Sequence, residues 1–340
     1  MITRFKASNF TVFTDLDIEF SPGVNIIIGE NGTGKTHLIK ALYSACSLID
    51  KKIDTPLDRK VNGVFMPNSI GRLVHRSVGR SSGSFTVFRK LDNEERTRSI
   101  TLNLTTLNNA TVTHSGWYVD ERIESIFIPV KDMLANAPGF RSLFSQKRLA
   151  YEEVYADIID KAFTPIAKGK LTAERERLLT ILNKAMTGRV IEKNETFYLK
   201  NKNGELEFPL LAEGFRKLGL LYRLIQNETL TKGTILFWDE PEANLNPRLS
   251  RIVVQTLLAL AQIGVQVFIT THDYILLKEF ELTSIQVNDV NILYHSLSYD
   301  YEGKVRHNAA NDIDMINDNA INDTLSRILD DEITNGLADL

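Results

Sequence analysis

Ile2, Phe5, Ala7 and Phe10, then Phe13, Leu16, Ile18 and Phe20, alternate with polar residues. This period of two predicts two strands, a hairpin near a sheet edge, closed by Pro22-Gly23. Val24–Ile28 is short, β-branched and nearly continuously apolar, as a strand buried on both faces must be. Leu38, Ile39, Leu42, Ala45, Cys46 and Ile49 then recur at helical spacing over Thr36–Ile49. From residue 51 to 130 Pro, Gly, Ser and Thr punctuate strand-like runs (Ser84–Phe88, Ser99–Leu104, Thr111–Thr113), which predicts an inserted antiparallel β lobe. Residues 131–188 turn helical, with Tyr151, Val154, Ile158, Ile159 and Ala162 expected on one face, and a hairpin is expected at Phe197–Leu199 and Leu206–Phe208. A helix (Glu213–Gln226), a strand (Thr234–Trp238), a helix (Pro247–Ile263), a strand (Val265–Thr270) and a last strand (Ile292–Leu297) restore α/β alternation. An acidic helix is expected at the end.

The 340 residues are 43% hydrophobic and 24% charged, which excludes disordered and collagen-like classes. The single cysteine, Cys46, permits no intramolecular disulfide and is expected in the core. Met1–Lys6 is not followed by an apolar secretory core, and Gln255, Gln262 and Gln266 interrupt the most apolar stretch, so a cytoplasmic chain without a membrane span is expected. At a net charge of −3, any nucleic-acid site has to be a local patch.

Gly29-Glu30-Asn31-Gly32-Thr33-Gly34-Lys35-Thr36 fits G-x-x-x-x-G-K-[ST] at every position. Its glycines let successive N–H groups face a polyphosphate, and the helix behind presents a positive N-terminus. Lys35 is placed for the β- and γ-phosphates and the Thr36 hydroxyl for Mg²⁺. Ile235–Glu240 is an apolar strand ending in two acids, Asp239 for the metal side and Glu240 as general base for water. Alone, two such acids are an ordinary solvated turn; with the phosphate loop they form its second half. Thr271-His272-Asp273 ends the next strand, where His272 is either a γ-phosphate sensor or a surface turn residue.

The segments GENGTGKT, LLAEGFRKLG, ILFWDEPEANLNP and ITTHD together resemble ABC-type ATPases of the SMC/RecF/OLD group, closest to compact stand-alone members found in bacterial defence systems. The resemblance covers about residues 1–297. It implies an α/β P-loop fold of ABC-ATPase type: a mixed sheet with an inserted antiparallel β lobe and a helical lobe. It also implies ATP and Mg²⁺ as cofactors. By motif, Gly29–Thr36 is the Walker A loop, Asp239 and Glu240 the Walker B acid and catalytic glutamate, Asn244–Pro247 the D-loop, and His272 the switch histidine. Leu211–Lys217 resembles the signature element that caps the γ-phosphate of the opposite subunit. Glu213, Gly214 and Arg216 remain for that task, while Ala212 stands where a serine is usual. No Q-loop glutamine is assigned, Thr11 replaces the usual basic residue after Asn9-Phe10, and Ile126–Leu134 matches a stretch of such proteins without an assigned chemistry.

The expected organisation is one discontinuous domain: a Walker A lobe (1–50), the β insertion (51–130), a helical lobe and hairpin (131–210), the signature-to-switch segment (211–297) and an acidic C-terminal helix (298–340). Arg72, His75, Arg76, Arg80, Arg89 and Lys90, with Phe85 and Phe88 interleaved, offer a surface for phosphate backbones; a solvated sheet face, partly neutralised by Asp92, Glu94 and Glu95, explains them slightly better. The tail carries Asp312, Asp314, Asp318, Asp323, Asp330, Asp331, Glu332 and Asp339 against Arg327, with Ile321, Leu325, Ile328 and Leu329 at helical spacing. No zinc cluster or nucleophile triad is found, and the tail is too short for a fused nuclease. The expected activity is ATP hydrolysis that drives head-to-head dimerisation and gates a separately encoded effector or DNA-bound assembly. A RecF-like DNA-repair ATPase and a non-hydrolysing ATP-sensing scaffold are the alternatives.

Overall fold

The computed structural model describes residues 1–340 except 77, 92, 93, 95, 121, 122, 167, 168, 288, 318, 339 and 340. Asp92, Glu95, Asp318 and Asp339 from the sequence analysis therefore lie outside the described residues. In chain order the elements begin with β1 (Ile2–Phe10), β2 (Phe13–Glu19), β3 (Val24–Gly29), α1 (Lys35–Cys46) and α2 (Leu57–Phe65). They continue with β4 (Ser82–Arg89), β5 (Arg98–Thr105), β6 (Ala110–Ser115), β7 (Ser125–Ile128), α3 (Phe140–Ser145), α4 (Glu153–Phe163) and α5 (Ala173–Met186). Next come β8 (Arg189–Lys193), β9 (Thr196–Asn201), β10 (Gly204–Glu207), α6 (Glu213–Gln226), β11 (Ile235–Asp239), α7 (Pro247–Gln262) and β12 (Gln266–Thr270). The last are α8 (Tyr274–Ser284), β13 (Ile292–Tyr299), β14 (Val305–Ala310) and α9 (Ala320–Ala338).

The central sheet has six strands in the order β14-β13-β3-β12-β11-β7, parallel except for β14. Both of its faces are buried. Ile27, Phe237, Phe268 and Leu297 point to a core shared with α1 and the β1/β2 hairpin, while Ile26, Ile28, Leu236, Trp238 and Ile269 point to one shared with α5, α6, α7 and α8. This double burial is why β3, β11 and β12 read as nearly continuous apolar runs. A second sheet, β2-β1-β4-β5-β6, covers α1 from the other side.

The strands expected of an inserted lobe do not stand apart: β4 pairs directly with β1, Phe5 opposite Val87, so the N-terminal hairpin and residues 82–115 form one antiparallel sheet. Residues 51–81 add α2 instead of strands, and β7 leaves the lobe to become the edge of the central sheet. The expected hairpin near residue 200 gains a third strand, β8. Tyr151 precedes α4 and is exposed rather than packed on its buried face. Cys46 is fully buried, and burial pushes its thiol up to about 12. In α9, Ile328, Leu329 and Ile333 are exposed.

One member of the basic cluster is corrected. Arg72, Arg76 and Arg80 are exposed, but Arg89 is 1% exposed, with its guanidinium over the Trp117 ring and donating to the Trp117 carbonyl. Phe85 is likewise wholly buried against Phe5 and Phe10. The alternation that put Arg89 on the same strand as these aromatics turned it to the core face, so it is unavailable to a phosphate backbone.

Candidate functional site

Parallel β3, β11 and β12 all end at one edge, and their register places Ile27 opposite Thr270 and Thr270 opposite Asp239. Everything that follows these strands is therefore gathered at the carboxyl edge of the sheet, the usual ligand crevice of such sheets. Behind β3 the loop turns back on itself: Thr33, fully buried, donates from Oγ1 to the Glu30 carbonyl at 2.9 Å. Glu30, Asn31 and Gly32 form the exposed crown. Two glycines are sterically obligatory. At Gly29 (φ +145°) a Cβ would lie 2.1 Å from the Leu297 carbonyl oxygen, and at Gly34 (φ +94°) 2.6 Å from Val12 and Phe13 side-chain atoms. The β1–β2 turn thus buttresses the start of α1. Thr11 sits in it at φ +50° with its carbonyl 2.9 Å from His75 Nδ1.

Lys35 is buried and donates from Nζ to the carbonyls of Gly29 (2.7 Å) and Glu30 (2.9 Å). Burial lowers its pKa, opposed by Glu240, Asp239, Glu242 and Glu30. From 203 positions away Asp239 meets the same loop: Thr36 Oγ1 is 3.1 Å from each of its carboxylate oxygens. Thr270 Oγ1 donates to Asp239 Oδ1 at 2.6 Å. Asp239 is 4% exposed, and its burial raises the carboxyl pKa against the hydrogen bonds from Thr270 and Thr36.

Glu240 follows in a left-handed conformation (φ +47°), its N–H held by Thr270 Oγ1 at 3.1 Å. Its Oε1 lies 3.4 Å from His272 Nδ1, which is also 3.8 Å from Glu242 Oε1. Glu242 received no role from the sequence, yet it is the partly buried hub of this corner: Thr271 Oγ1 donates to it at 2.7 Å and the His272 N–H at 3.2 Å. Burial raises its pKa.

The signature-like element lies on the same edge but is joined to the acids rather than to the phosphate loop. Asn244 Nδ2 donates to Glu213 Oε2 at 3.0 Å, and Gly214 packs against Leu245, Leu249 and the Asn244 carbonyl. Arg216 is ion-paired at 3.0 Å with Asp132, a buried acid in the stretch after β7 that carried no chemistry in the sequence. Among the described residues no hydrogen bond or ion pair joins Glu213, Gly214 or Arg216 to Gly29–Thr36. Asn246 and Asp273 cap α7 and α8 with side-chain acceptors, whereas α1 and α6 begin without a side-chain cap. Their first N–H groups are open to an anion.

Mg²⁺ takes oxygen ligands at ~2.1 Å in octahedral geometry, so neighbouring ligands lie about 3 Å apart. The Thr36–Asp239 separation of 3.1 Å matches that spacing. Among the described residues no cluster of three His, Cys, Asp or Glu is placed to hold a metal ion.

This fold and this edge define an SMC/RecF-like ATPase domain of the ABC type. Residues 24–278, well over half of the chain, match the family described as "AAA domain, putative AbiEii toxin, Type IV TA system", and the chain belongs to that family. Among curated proteins it is similar to the DNA replication and repair protein RecF of Lactobacillus delbrueckii subsp. bulgaricus, 48% identical over 42 residues, 12% of this chain and 11% of that one. RecF of Streptococcus uberis is 26% identical over 144 residues, 42% of this chain and 36% of that one. The matched stretches thus span about a tenth to a third of these relatives' length. Of solved structures, an SMC head bound to the C-terminal winged-helix domain of ScpA superposes with a TM-score of 0.60 at 13% identity, covering 91% of this chain and 97% of that one.

Proposed function

We propose that the chain binds Mg²⁺–ATP at this edge and hydrolyses it. The observation that carries the proposal is the meeting of Thr36 with Asp239, a loop hydroxyl and a strand-end acid brought together from 203 positions apart. Thr36 and Asp239 would hold the ion, which neutralises charge on the β- and γ-phosphate oxygens. The N–H groups of Gly29–Thr36 cradle the phosphates, and Lys35 exchanges its two loop carbonyls for phosphate oxygens. Glu240 accepts a proton from the attacking water as its oxygen bonds to the γ-phosphorus and the β–γ bridge breaks, leaving ADP and phosphate. His272, oriented by Glu240 and Glu242, hydrogen-bonds the γ-phosphate. The open start of α6, with Glu213, Gly214 and Arg216, caps the nucleotide of a second copy in a head-to-head dimer, Asn244 lying between the two sites. On this reading a cytoplasmic dimer gates a separately encoded effector in antiphage defence, the role suggested by its resemblance to stand-alone members. Among the described residues no helix is long and apolar enough to cross a membrane.

Phosphate release from Mg²⁺–ATP should fall at least about a hundredfold in Glu240→Gln, while that variant retains ATP and doubles its light-scattering mass. ATP binding that survives Lys35→Ala unchanged would falsify the phosphate-loop assignment. Phosphate release equal in wild type and Glu240→Gln would select the ATP-sensing scaffold. Exposed Arg72, Arg76 and Arg80, with the RecF similarity, favour DNA binding as a second reading. Salt-dependent DNA affinity that drops on charge reversal at Arg76 and Arg80 would establish it.

A further inference from the structure

The signature helix carries a buried cation that the phosphate chemistry does not use. Lys217 is 2% exposed, and its ammonium reaches the backbone carbonyls of Ala243, Glu240 and Pro241, the last two at 3.5 Å. Three donors face three carbonyls of one turn. That turn is bracketed by two non-glycine residues in the left-handed region, Glu240 at φ +47° and Asn244 at φ +57°. Each such residue is strained and persists only where its surroundings hold it. Ala243 N–H to the Glu240 carbonyl (3.1 Å) and Leu245 N–H to the Glu242 carbonyl (2.8 Å) are the turn's own bonds; the Glu240 carbonyl thus accepts from both Ala243 and Lys217, and those of Pro241 and Ala243 from Lys217.

We propose that Lys217 is a positioning residue that holds the Glu240 carboxylate in its hydrolytic direction by clamping the backbone of residues 240–243 to the signature helix. The inference rests on Glu240 acting as the base. Because Glu240 supplies one of the clamped carbonyls, the ammonium restrains the torsions that aim its side chain. The helix is a rigid anchor for this: Leu218, Leu221, Leu224 and Ile225 on it are fully buried. A second bond ties the far end of the turn to the first turn of the same helix, Asn244 to Glu213. Burial lowers the Lys217 pKa, while the carboxylates of Glu213, Glu242, Asp132 and Glu240 around it favour the charged form. Any displacement of α6 is therefore transmitted through this clamp to the Glu240 carboxylate.

The test compares Lys217→Met, Lys217→Gln and Lys217→Arg in the full chain. With kcat normalised to the folded, nucleotide-binding fraction, Lys217→Met should lose about a hundredfold, as about 1 Å of misplacement does, with the Kd for a fluorescent ATP analogue nearly unchanged. Lys217→Arg should recover most of that loss. Amide exchange over residues 240–244 should accelerate in Lys217→Met while exchange in β11 stays slow. A merely structural lysine would lower Tm and leave normalised kcat alone. If Lys217→Met does not fold, Lys217→Gln, whose amide still donates to these carbonyls, carries the same comparison with a smaller loss. Wild-type kcat together with wild-type exchange in a folded variant overturns the clamp. If the wild type releases no phosphate, the reading of Glu240 fails, and exchange alone decides whether the clamp exists.

Discussion

Acid should weaken this protein through one pair of histidines beside the phosphate-loop strand. His295 on β13 pairs in register with Ile27 of β3 and is fully buried. Its Nδ1 is 3.0 Å from His307 Nε2 and its Nε2 3.3 Å from Asn25 Oδ1. Asn25 Nδ2 already donates to the Ser21 carbonyl, so Oδ1 is the acceptor and His295 carries its proton on Nε2. His295 Nδ1 then accepts from His307 Nε2–H, and the pair has no room for two further protons. Burial holds His295 down to about 3 and His307 down to about 4, the latter in spite of Asp17 nearby. Unfolded, both titrate near 6.5. With folded values below unfolded ones, the stabilisation is complete above pH 6.5 and is lost as pH falls towards 4. At pH 5 the unfolded chain gains about 2 kcal/mol per histidine, about 4 kcal/mol for the pair. That is a large part of a typical ~5–15 kcal/mol. Urea titrations followed by the fluorescence of buried Trp117 and Trp238 at pH 7 and 5 measure the difference. His307→Gln, whose amide can still donate to His295, should cut the pH-dependent loss by about 2 kcal/mol. An unchanged loss in that variant, or a wild type equally stable at both values, would refute the argument.

Asp239→Asn should raise the Tm of the nucleotide-free protein, because the buried carboxylate is held in its unfavourable form there, while Mg²⁺-dependent phosphate release falls at least about a hundredfold. A lowered Tm would contradict the burial argument. Gly34→Ala forces a Cβ against Val12 and Phe13 at a positive φ, and should cost about 1–2 kcal/mol in chemical denaturation and at least tenfold in ATP affinity. Lys60, 8% exposed in its side chain, bridges Glu153 and Asp157 at 2.7 Å each; Lys60→Met should lower stability by about 3 kcal/mol in denaturant titration. A loss under 1 kcal/mol there would mean that solvent already screens the cluster.

Contiguous features were legible along the chain because their causes are local. The phosphate loop needs glycines where its own backbone turns at positive φ, at Gly29, Gly32 and Gly34, and a parallel strand buried on both faces must be mostly apolar, as Val24–Ile28 is but for Asn25. Helix α6 has the bounds expected for it, Glu213–Gln226. Arg89 was misjudged because alternation gives two faces without saying which is inside; β4 had to pair with β1 before Arg89 lay against Trp117. That β4 of the inserted lobe pairs with β1 was illegible for the same reason, since strand partners far apart in sequence leave no local trace. Lys217, Glu242 and Asp132 are ordinary charged residues in sequence, and they acquire roles only through carbonyls and side chains delivered by other elements.

The chemistry proposed for the edge rests on short runs of residues whose backbone and side-chain demands are met within one turn, namely the glycine-rich loop and the acids closing β11. Which of them face one another had to wait for the parallel pairing of β3, β12 and β11, since hydrogen-bond register between distant segments depends on the packing of both sheet faces at once. The placement of helix α6 against residues 240–244, and the burial that shifts Asp239, Glu242 and Lys217, belong to that second level.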